Sequence, residues 1–108
     1  MFIGKVIGTV VSTIKDEKVA NLRFQIVQEL DEKAGERSKY VVAVDTVGSG
    51  MGDLVLFAQG SSARQTTLTD GRPIDAAIFA VIDSWDVEGE SIYQKEGLET
   101  TSYDPKEV

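Results

Sequence analysis

The first two predicted strands differ in how apolar residues alternate along them. Residues 2–14 carry apolar side chains in both alternating phases. Residues 22–30 carry most of theirs at even positions, with the polar Arg23, Gln25 and Glu29 at odd positions. Because successive side chains of a strand point to opposite faces, the first pattern predicts a strand covered on both faces. The second predicts a strand whose odd positions face solvent and whose even positions, including Ile26, face the core.

Loop signals then separate two further strands. The polar run over residues 31–39 contains one glycine, which predicts a hairpin loop into a third strand over residues 40–44. Residues 46–53 contain three glycines, whose backbone reaches angles closed to other residues, and they predict a tight loop. A fourth strand over residues 54–58 follows this loop.

A short helix and a fifth strand complete the predicted fold. Ser62 and Gln65 have the spacing of a capping box, in which two side chains bind free N–H groups at a helix start, so we expect a short helix over residues 62–67. Pro73 fixes its own φ angle and leads into a fifth strand over residues 78–82. These elements predict an all-β fold, a small five-stranded OB-like barrel with one short helix between strands 4 and 5.

The chain has the length of one domain, and its acidic excess is concentrated at the carboxyl end. It contains 108 residues with a net charge of −7, and residues 86–108 hold two basic and seven acidic side chains. We expect a single β-barrel domain over residues 1–96 and an acidic C-terminal tail over residues 97–108. Residues 91–95 and 100–103 are candidates for short additional edge strands.

Composition narrows the classes of function. The sequence has no cysteine and no histidine, so disulfides, thiolate zinc sites and the commonest catalytic bases and nucleophiles are missing. We therefore expect no catalytic, metal or cofactor site and no enzyme activity. The negative net charge opposes binding to nucleic acid or to an anionic lipid surface, and no apolar run approaches the ~20 residues of a membrane span. We expect neither nucleic acid nor membrane as a partner.

More apolar strand surface is present than one small barrel encloses. The interior of a barrel takes alternate residues only, yet residues 54–57 and 76–82 are almost continuously apolar, and the first strand is apolar in both phases. At ~25 cal/mol per Å² of buried apolar surface, an uncovered outer stripe forfeits stabilisation and leaves an exposed patch. Contact between subunits is the simplest cover, so the sequence predicts an oligomer.

Four motifs resemble those of a known family. They are KVIGTVVSTIK at residues 5–15, DTVGSG at 45–50, GSSARQ at 60–65 and PIDAAIFAVID at 73–83. Together they resemble the EutN/CcmL family, the pentameric vertex proteins of bacterial microcompartment shells. The resemblance implies a single shell-vertex domain and a homopentamer that caps the vertices and lets the polyhedral shell close. Its implied partners are hexameric shell proteins, its implied location is the microcompartment shell in the cytoplasm, and the tail is a candidate contact with encapsulated cargo enzymes.

Eight residues are expected at the subunit interface or in the lining of the ring. The glycine loop lacks the Gly-Lys-Ser/Thr ending of a P-loop, so we interpret it as a structural turn or as a loop at a subunit junction or pore. Arg64 and Asp83 lie beside apolar sequence, where a buried charge needs a partner, and we expect Arg64 to contact a carboxylate or carbonyl across the junction. The family resemblance makes the serines of GSSARQ candidates for the inner lining. The full set is Gly48, Ser49, Gly50, Ser61, Ser62, Arg64, Gln65 and Asp83.

Two other classes of function stay open on the sequence. An OB-like barrel also serves as a binding module for oligosaccharide or single-stranded nucleic acid, because a fold does not fix a function. A small-molecule enzyme would have to rely on carboxylates, for which the candidates are Asp45, Asp53, Asp70, Asp75 and Asp83. Turn-forming or capping roles are the alternative for Asp45, Asp70 and Asp75.

Overall fold

The computed structural model describes residues 1–11, 13, 17, 22–66, 69 and 74–95. Within these residues lie seven strands and one 3₁₀ helix: β1 (Phe2–Val10), β2 (Phe24–Leu30), β3 (Glu36–Asp45), β4 (Leu54–Gln59), the 3₁₀ helix (Gly60–Arg64), β5 (Ala76–Val81), β6 (Ser84–Val87) and β7 (Glu90–Gln94).

The first five strands close into a barrel. Their order around the barrel is β1-β2-β3-β5-β4, with β4 returning to β1. The β3–β5 pair is parallel and short, running through Val44–Ala77 and Asp45–Ile78, whereas the other four pairs are antiparallel. The all-β, five-stranded barrel with a short helix between strands 4 and 5 is thus confirmed.

Several element ends differ from the sequence prediction. β1 ends at Val10 instead of residue 14, and β3 begins at Glu36 because the polar residues 36–39 extend the strand beyond a tighter turn. In that turn Asp31 Oδ1 accepts hydrogen bonds from the backbone N–H groups of Lys33 and Gly35, both at 2.9 Å. These bonds replace the longer hairpin loop that composition alone predicts.

The capping box is also wrong. The helix begins at Gly60, its N-cap is Gln59, and no side chain makes the cap hydrogen bond. Ser62 therefore lies inside the helix. The helix also ends at Arg64, with Gln65 as its C-cap, short of the predicted end at residue 67. Pro73 lies outside the described residues.

The most informative error concerns the facing of β2. Gln25 and Val27 are fully buried and Glu29 is nearly so, whereas Phe24 and Ile26 are only half-buried. The strand thus points its odd residues inward, opposite to the prediction. Cross-strand register explains this facing. Val27 pairs with the core residue Val6 of β1 and lies in the barrel interior, so the other odd residues of β2 point inward as well.

The barrel interior holds the main hydrophobic core. Its buried members come from all five barrel strands: Val6, Val27, Ala43, Val55, Phe57, Ala76 and Ile78. Gly4 belongs to this interior, because a Cβ at this position would overlap Val27 Cγ1 and lie 2.8 Å from Phe57 Cε1. The absence of a side chain at Gly4 lets these neighbouring side chains fill the barrel.

A second, smaller core lies on the outside of the barrel. Val44 and Ala77, neighbours in the β3–β5 pair, pack with Ala63 of the 3₁₀ helix and with Ile74, and Leu22 and Phe24 flank them. We expected contact between subunits to cover the outward apolar surface. This cluster shows that the chain itself covers part of that surface.

β6 and β7 form a separate two-stranded sheet beside the barrel. Of the two additional edge strands considered from sequence, residues 91–95 correspond closely to β7, and residues 100–103 lie outside the described residues. Trp85 of β6 is half-buried, contacts the Tyr93 ring with centroids 5.4 Å apart, and donates from Nε1 to the Glu32 carbonyl at 2.8 Å. The hairpin is thereby tied to the β2–β3 turn.

No helix among the described residues is long and apolar enough to cross a membrane. The division into a domain over residues 1–96 and a tail over residues 97–108 stays a prediction, because residues 96–108 lie outside the described part of the chain.

Candidate functional site

The glycine loop between β3 and β4 is held in place by two carboxylates. Asp45 Oδ1 accepts hydrogen bonds from the backbone N–H groups of Val47, Gly48 and Ser49, each at 3.1 Å. Asp53 Oδ2 accepts a 2.8 Å bond from the N–H of Gly50. A carboxylate at each end therefore binds the loop's backbone, as expected for aspartates that form turns.

A buried glutamine anchors the same loop to the barrel. Gln25 Nε2 donates to the Ser49 carbonyl at 2.9 Å, while Gln25 Oε1 accepts a 2.8 Å bond from the Thr9 hydroxyl. The inward position of Gln25 is tolerable because both ends of its amide have partners. Backbone bonds between Val6 and residues Gly52 and Asp53 then fasten the far side of the loop to β1.

The predicted loop residues differ in what they present to solvent. Gly48 is exposed with a φ angle of +76°, which favours glycine, and a Cβ there would meet no other heavy atom within 4 Å. Gly50 is half-buried, and its Cβ would meet only Asp53 Oδ2, at 3.8 Å. Ser49 is buried, and its hydroxyl and Asp45 Oδ2 have no hydrogen-bond partner among the described residues. Gly48 and Gly50 thus offer backbone for a contact, while the Ser49 side chain faces its own chain.

The second group of predicted residues lies on and after the 3₁₀ helix. Ser61, Ser62 and Gln65 are exposed, whereas Ala63 is buried in the outer core. Arg64 Nη1 donates to the Ile74 carbonyl at 2.9 Å and lies 3.5 Å from Asp75 Oδ1. These contacts are within one chain and tie the helix to the start of β5. A contact of Arg64 across a subunit junction stays a prediction.

Asp83 belongs with the glycine loop and not with the 3₁₀ helix. It is exposed, and its carbonyl accepts a 2.7 Å bond from the N–H of Lys95 at the base of the β6–β7 hairpin. Burial raises the pKa of the Tyr93 hydroxyl, and the carboxylates of Asp53 and Asp83 raise it further. Asp83 and Asp53, at the end of the glycine loop, therefore both lie near the same tyrosine.

The structure thus divides the eight predicted residues into two groups at opposite ends of β4. The glycine loop precedes that strand and the 3₁₀ helix follows it. The strand has six residues, and a rise of about 3.3 Å per residue separates the two groups by about 20 Å. The eight residues therefore form two separate regions of one chain and not one compact site.

An open groove lies beside the 3₁₀ helix. It has a volume of about 340 Å³ and is lined by Met1, Ala58, Ser62, Gln65 and Phe79. Two of the predicted residues, Ser62 and Gln65, form its polar side. Among the described residues no group of three or more acidic side chains is placed to hold a metal ion.

Sequence reasoning missed one exposed apolar face. Tyr40 and Val42 of β3 point outward with 66% and 48% of their surface exposed, and Ile7 of β1, across β2 from them, is 45% exposed. The alternation of Tyr40, Val42 and Val44 in one phase of β3 was a usable signal for this face.

Comparison with known proteins gives consistent matches over most of the chain. The sequence profile of the family described as "Ethanolamine utilisation protein EutN/carboxysome" matches residues 1–83. The carboxysome shell vertex protein CcmL of Synechococcus elongatus is 45% identical over 95 residues, which cover 88% of this chain and 96% of CcmL.

Solved structures match the fold closely. The structure of Gloeobacter violaceus CcmL superimposes with a TM-score of 0.84 at 40% identity, covering 89% of this chain and 99% of that one. The GrpN pentameric microcompartment shell protein of Rhodospirillum rubrum superimposes with a TM-score of 0.73 at 42% identity, covering 81% of this chain and 99% of GrpN.

Proposed function

Because the chain belongs to the EutN/CcmL family, we propose that it forms a homopentamer that occupies the vertices of a bacterial microcompartment shell. The observation that carries the proposal is the extent of the match. Almost the whole length of a relative named as a shell vertex protein aligns with 88% of this chain at 45% identity. The barrel, the 3₁₀ helix and the hairpin all lie within the part of the chain that is described.

The function follows from geometry. Hexameric shell proteins tile a flat layer, and a fivefold tile placed in such a layer removes a wedge and forces curvature. In this role the protein works by shape and contact and performs no catalysis, and it resides in the shell within the cytoplasm. Its direct partners are four further copies of itself and the surrounding hexamers, and the acidic tail is available for contact with cargo enzymes.

The fastened glycine loop supports an architectural role. Its backbone is bound by Asp45 and Asp53 and by the buried side chain of Gln25. We expect Gly48 and Gly50 to present fixed backbone at a subunit junction or at the opening of the ring, with Asp83 nearby. Ser61, Ser62, Arg64 and Gln65 serve a second contact region at the other end of β4.

Co-assembly with hexameric shell proteins tests the proposal. The hexamers are produced with and without this chain, and the products are compared by electron microscopy. We expect closed polyhedral shells with this chain bound at the fivefold positions, and open sheets or tubes without it. Equal closure with and without the chain, or its uniform distribution over the facets, would contradict the vertex role.

A further inference from the structure

The barrel carries an uncovered apolar face on the outside of β1, β2 and β3. Two adjacent cross-strand rows form it: Gly8, Ile26 and Val42 in one row, and Lys5, Gln28 and Tyr40 in the next. We call this surface the β2 face, because β2 is its central strand. Ile7, at the bulge of β1, adds another exposed apolar side chain at its edge.

The β2 face lies next to the outer core. The next outward row contains Phe24 and Val44, which pack in the outer core against Ala63 and Ile74. One step along the strands, Val42 is 48% exposed and Ile26 is half-buried, and neither belongs to the hydrophobic clusters of the described residues. A contiguous apolar stripe that is buried at one end and exposed at the other indicates a surface completed by another molecule.

The groove beside the 3₁₀ helix lies on the other side of the barrel. Strand order places β2 across the barrel from β5 and β4, which supply Phe79 and Ala58 to the groove. Met1, 74% exposed, adds a flexible apolar side chain at the edge, while Ser62 and Gln65 supply hydrogen-bonding groups. The groove therefore suits an amphipathic projecting side chain, such as a tyrosine with its apolar ring and polar hydroxyl.

We propose that the β2 face of one copy docks into the 3₁₀ groove of the next copy, with Tyr40 as the projecting side chain. This inference rests on the proposed homopentamer and specifies which two surfaces form its ring contact. Two different surfaces on different sides of one subunit join copies head to tail, and such a heterologous contact closes into a ring when its rotation allows. Pairing of the β2 face with itself would stop at a dimer and leave the groove empty.

The absence of cysteine from the chain makes a crosslinking test specific. Lys5→Cys places a thiol within the β2 face, and Ser61→Cys places one next to the groove. Both side chains are exposed and neither is one of the proposed apolar contacts. With a short bismaleimide crosslinker, the double variant should give a ladder of two to five linked chains on a denaturing gel. Each single variant should give none.

A matched control uses Ser91→Cys on the exposed hairpin in place of Lys5→Cys, together with Ser61→Cys. This pair should not crosslink. Dimers from Lys5→Cys alone would show self-pairing of the β2 face and overturn the inference. If native mass spectrometry shows five chains but the double variant gives no crosslinked ladder, the proposed contact is wrong, while the proposed function is unaffected. A single chain by native mass spectrometry would contradict both.

Substitution of the face gives an independent readout. Val42→Asp should remove the five-chain species without unfolding the barrel, because Val42 is half-exposed and outside both cores. Ser91→Asp is the control, because it introduces the same charge at an exposed position on the β6–β7 hairpin, outside both surfaces. Retention of the ring by Val42→Asp, with unchanged circular dichroism in both variants, would contradict the proposed contact.

Discussion

Replacement of Gln25 by leucine tests whether a polar side chain inside the barrel anchors the glycine loop. Leucine has a similar size but makes neither the 2.9 Å bond to the Ser49 carbonyl nor the 2.8 Å bond with the Thr9 hydroxyl. Ser49 is buried, so its carbonyl would lose this partner where solvent has little access.

The expected loss follows from these two bonds. A buried polar group left without a partner costs about 1–3 kcal/mol, so we expect Gln25→Leu to lower the free energy of unfolding by about 1–3 kcal/mol. A solvent-facing position, as the sequence pattern predicts for Gln25, would instead give a change within about 0.5 kcal/mol. The two interpretations of β2 thus predict different results.

Chemical denaturation at one fixed protein concentration measures this difference, since assembly makes apparent stability depend on concentration. Gln94→Leu, an exposed glutamine of β7, is the matched control and should stay within about 0.5 kcal/mol. Hydrogen exchange adds a local readout, because amides of residues 47–49 should exchange faster in Gln25→Leu. A loss no larger than that of the control, with unchanged exchange in the loop, would refute the anchoring role.

Three further predictions concern stability. Gly4→Ala should lower the free energy of unfolding by about 1–3 kcal/mol, because the added Cβ would overlap Val27 in the barrel. Gly8→Ala should change it by less than about 1 kcal/mol, because the nearest neighbour of its Cβ is the end of the Ile26 side chain. Equal effects of the two variants in denaturant melts would contradict this difference in packing. Glu88→Asn should raise stability by about 0.5–1 kcal/mol, because Glu88 has a φ of +52° in the β6–β7 turn, and a lower melting temperature would count against this. Backbone hydrogen bonds from Gly35 and Lys33 lower the pKa of Asp31 below 3.8, so its carboxylate stabilises the fold above that pH and loses this effect as the pH falls through the lowered pKa. The stability difference between the natural chain and Asp31→Asn should therefore shrink on acidification below pH 3.8. A difference that does not depend on pH would contradict this.

The sequence pattern predicts where strands occur better than which way they face. Runs of β-forming residues between loop signals located all five barrel strands. The short helix between strands 4 and 5 was expected from a capping box that the structure does not contain. The facing of β2 depended instead on cross-strand register, because Val27 pairs with Val6 and because Gln25 finds partners from β1 and from the glycine loop. Neither partner is near Gln25 in sequence, so alternation along a single strand cannot reveal them.

The same limit applies to the candidate site. Sequence motifs identified the glycine loop and the 3₁₀ helix, but their separation by the length of β4 appears only in the folded chain. The partners of Arg64 in its own chain, Ile74 and Asp75, are ten and eleven residues away, and the sequence alone does not tell a contact within one chain from one between chains. The outer core was equally hidden, because Ile74 covers Val44 only after β5 joins β3.

Native mass spectrometry of the purified chain at micromolar concentration shows directly whether the chain assembles into a ring of five. We expect one dominant species with five times the 11.7 kDa mass of the chain. A stable species of 11.7 kDa, or a dimer that does not grow with concentration, would contradict the claim that this barrel is one fifth of a ring.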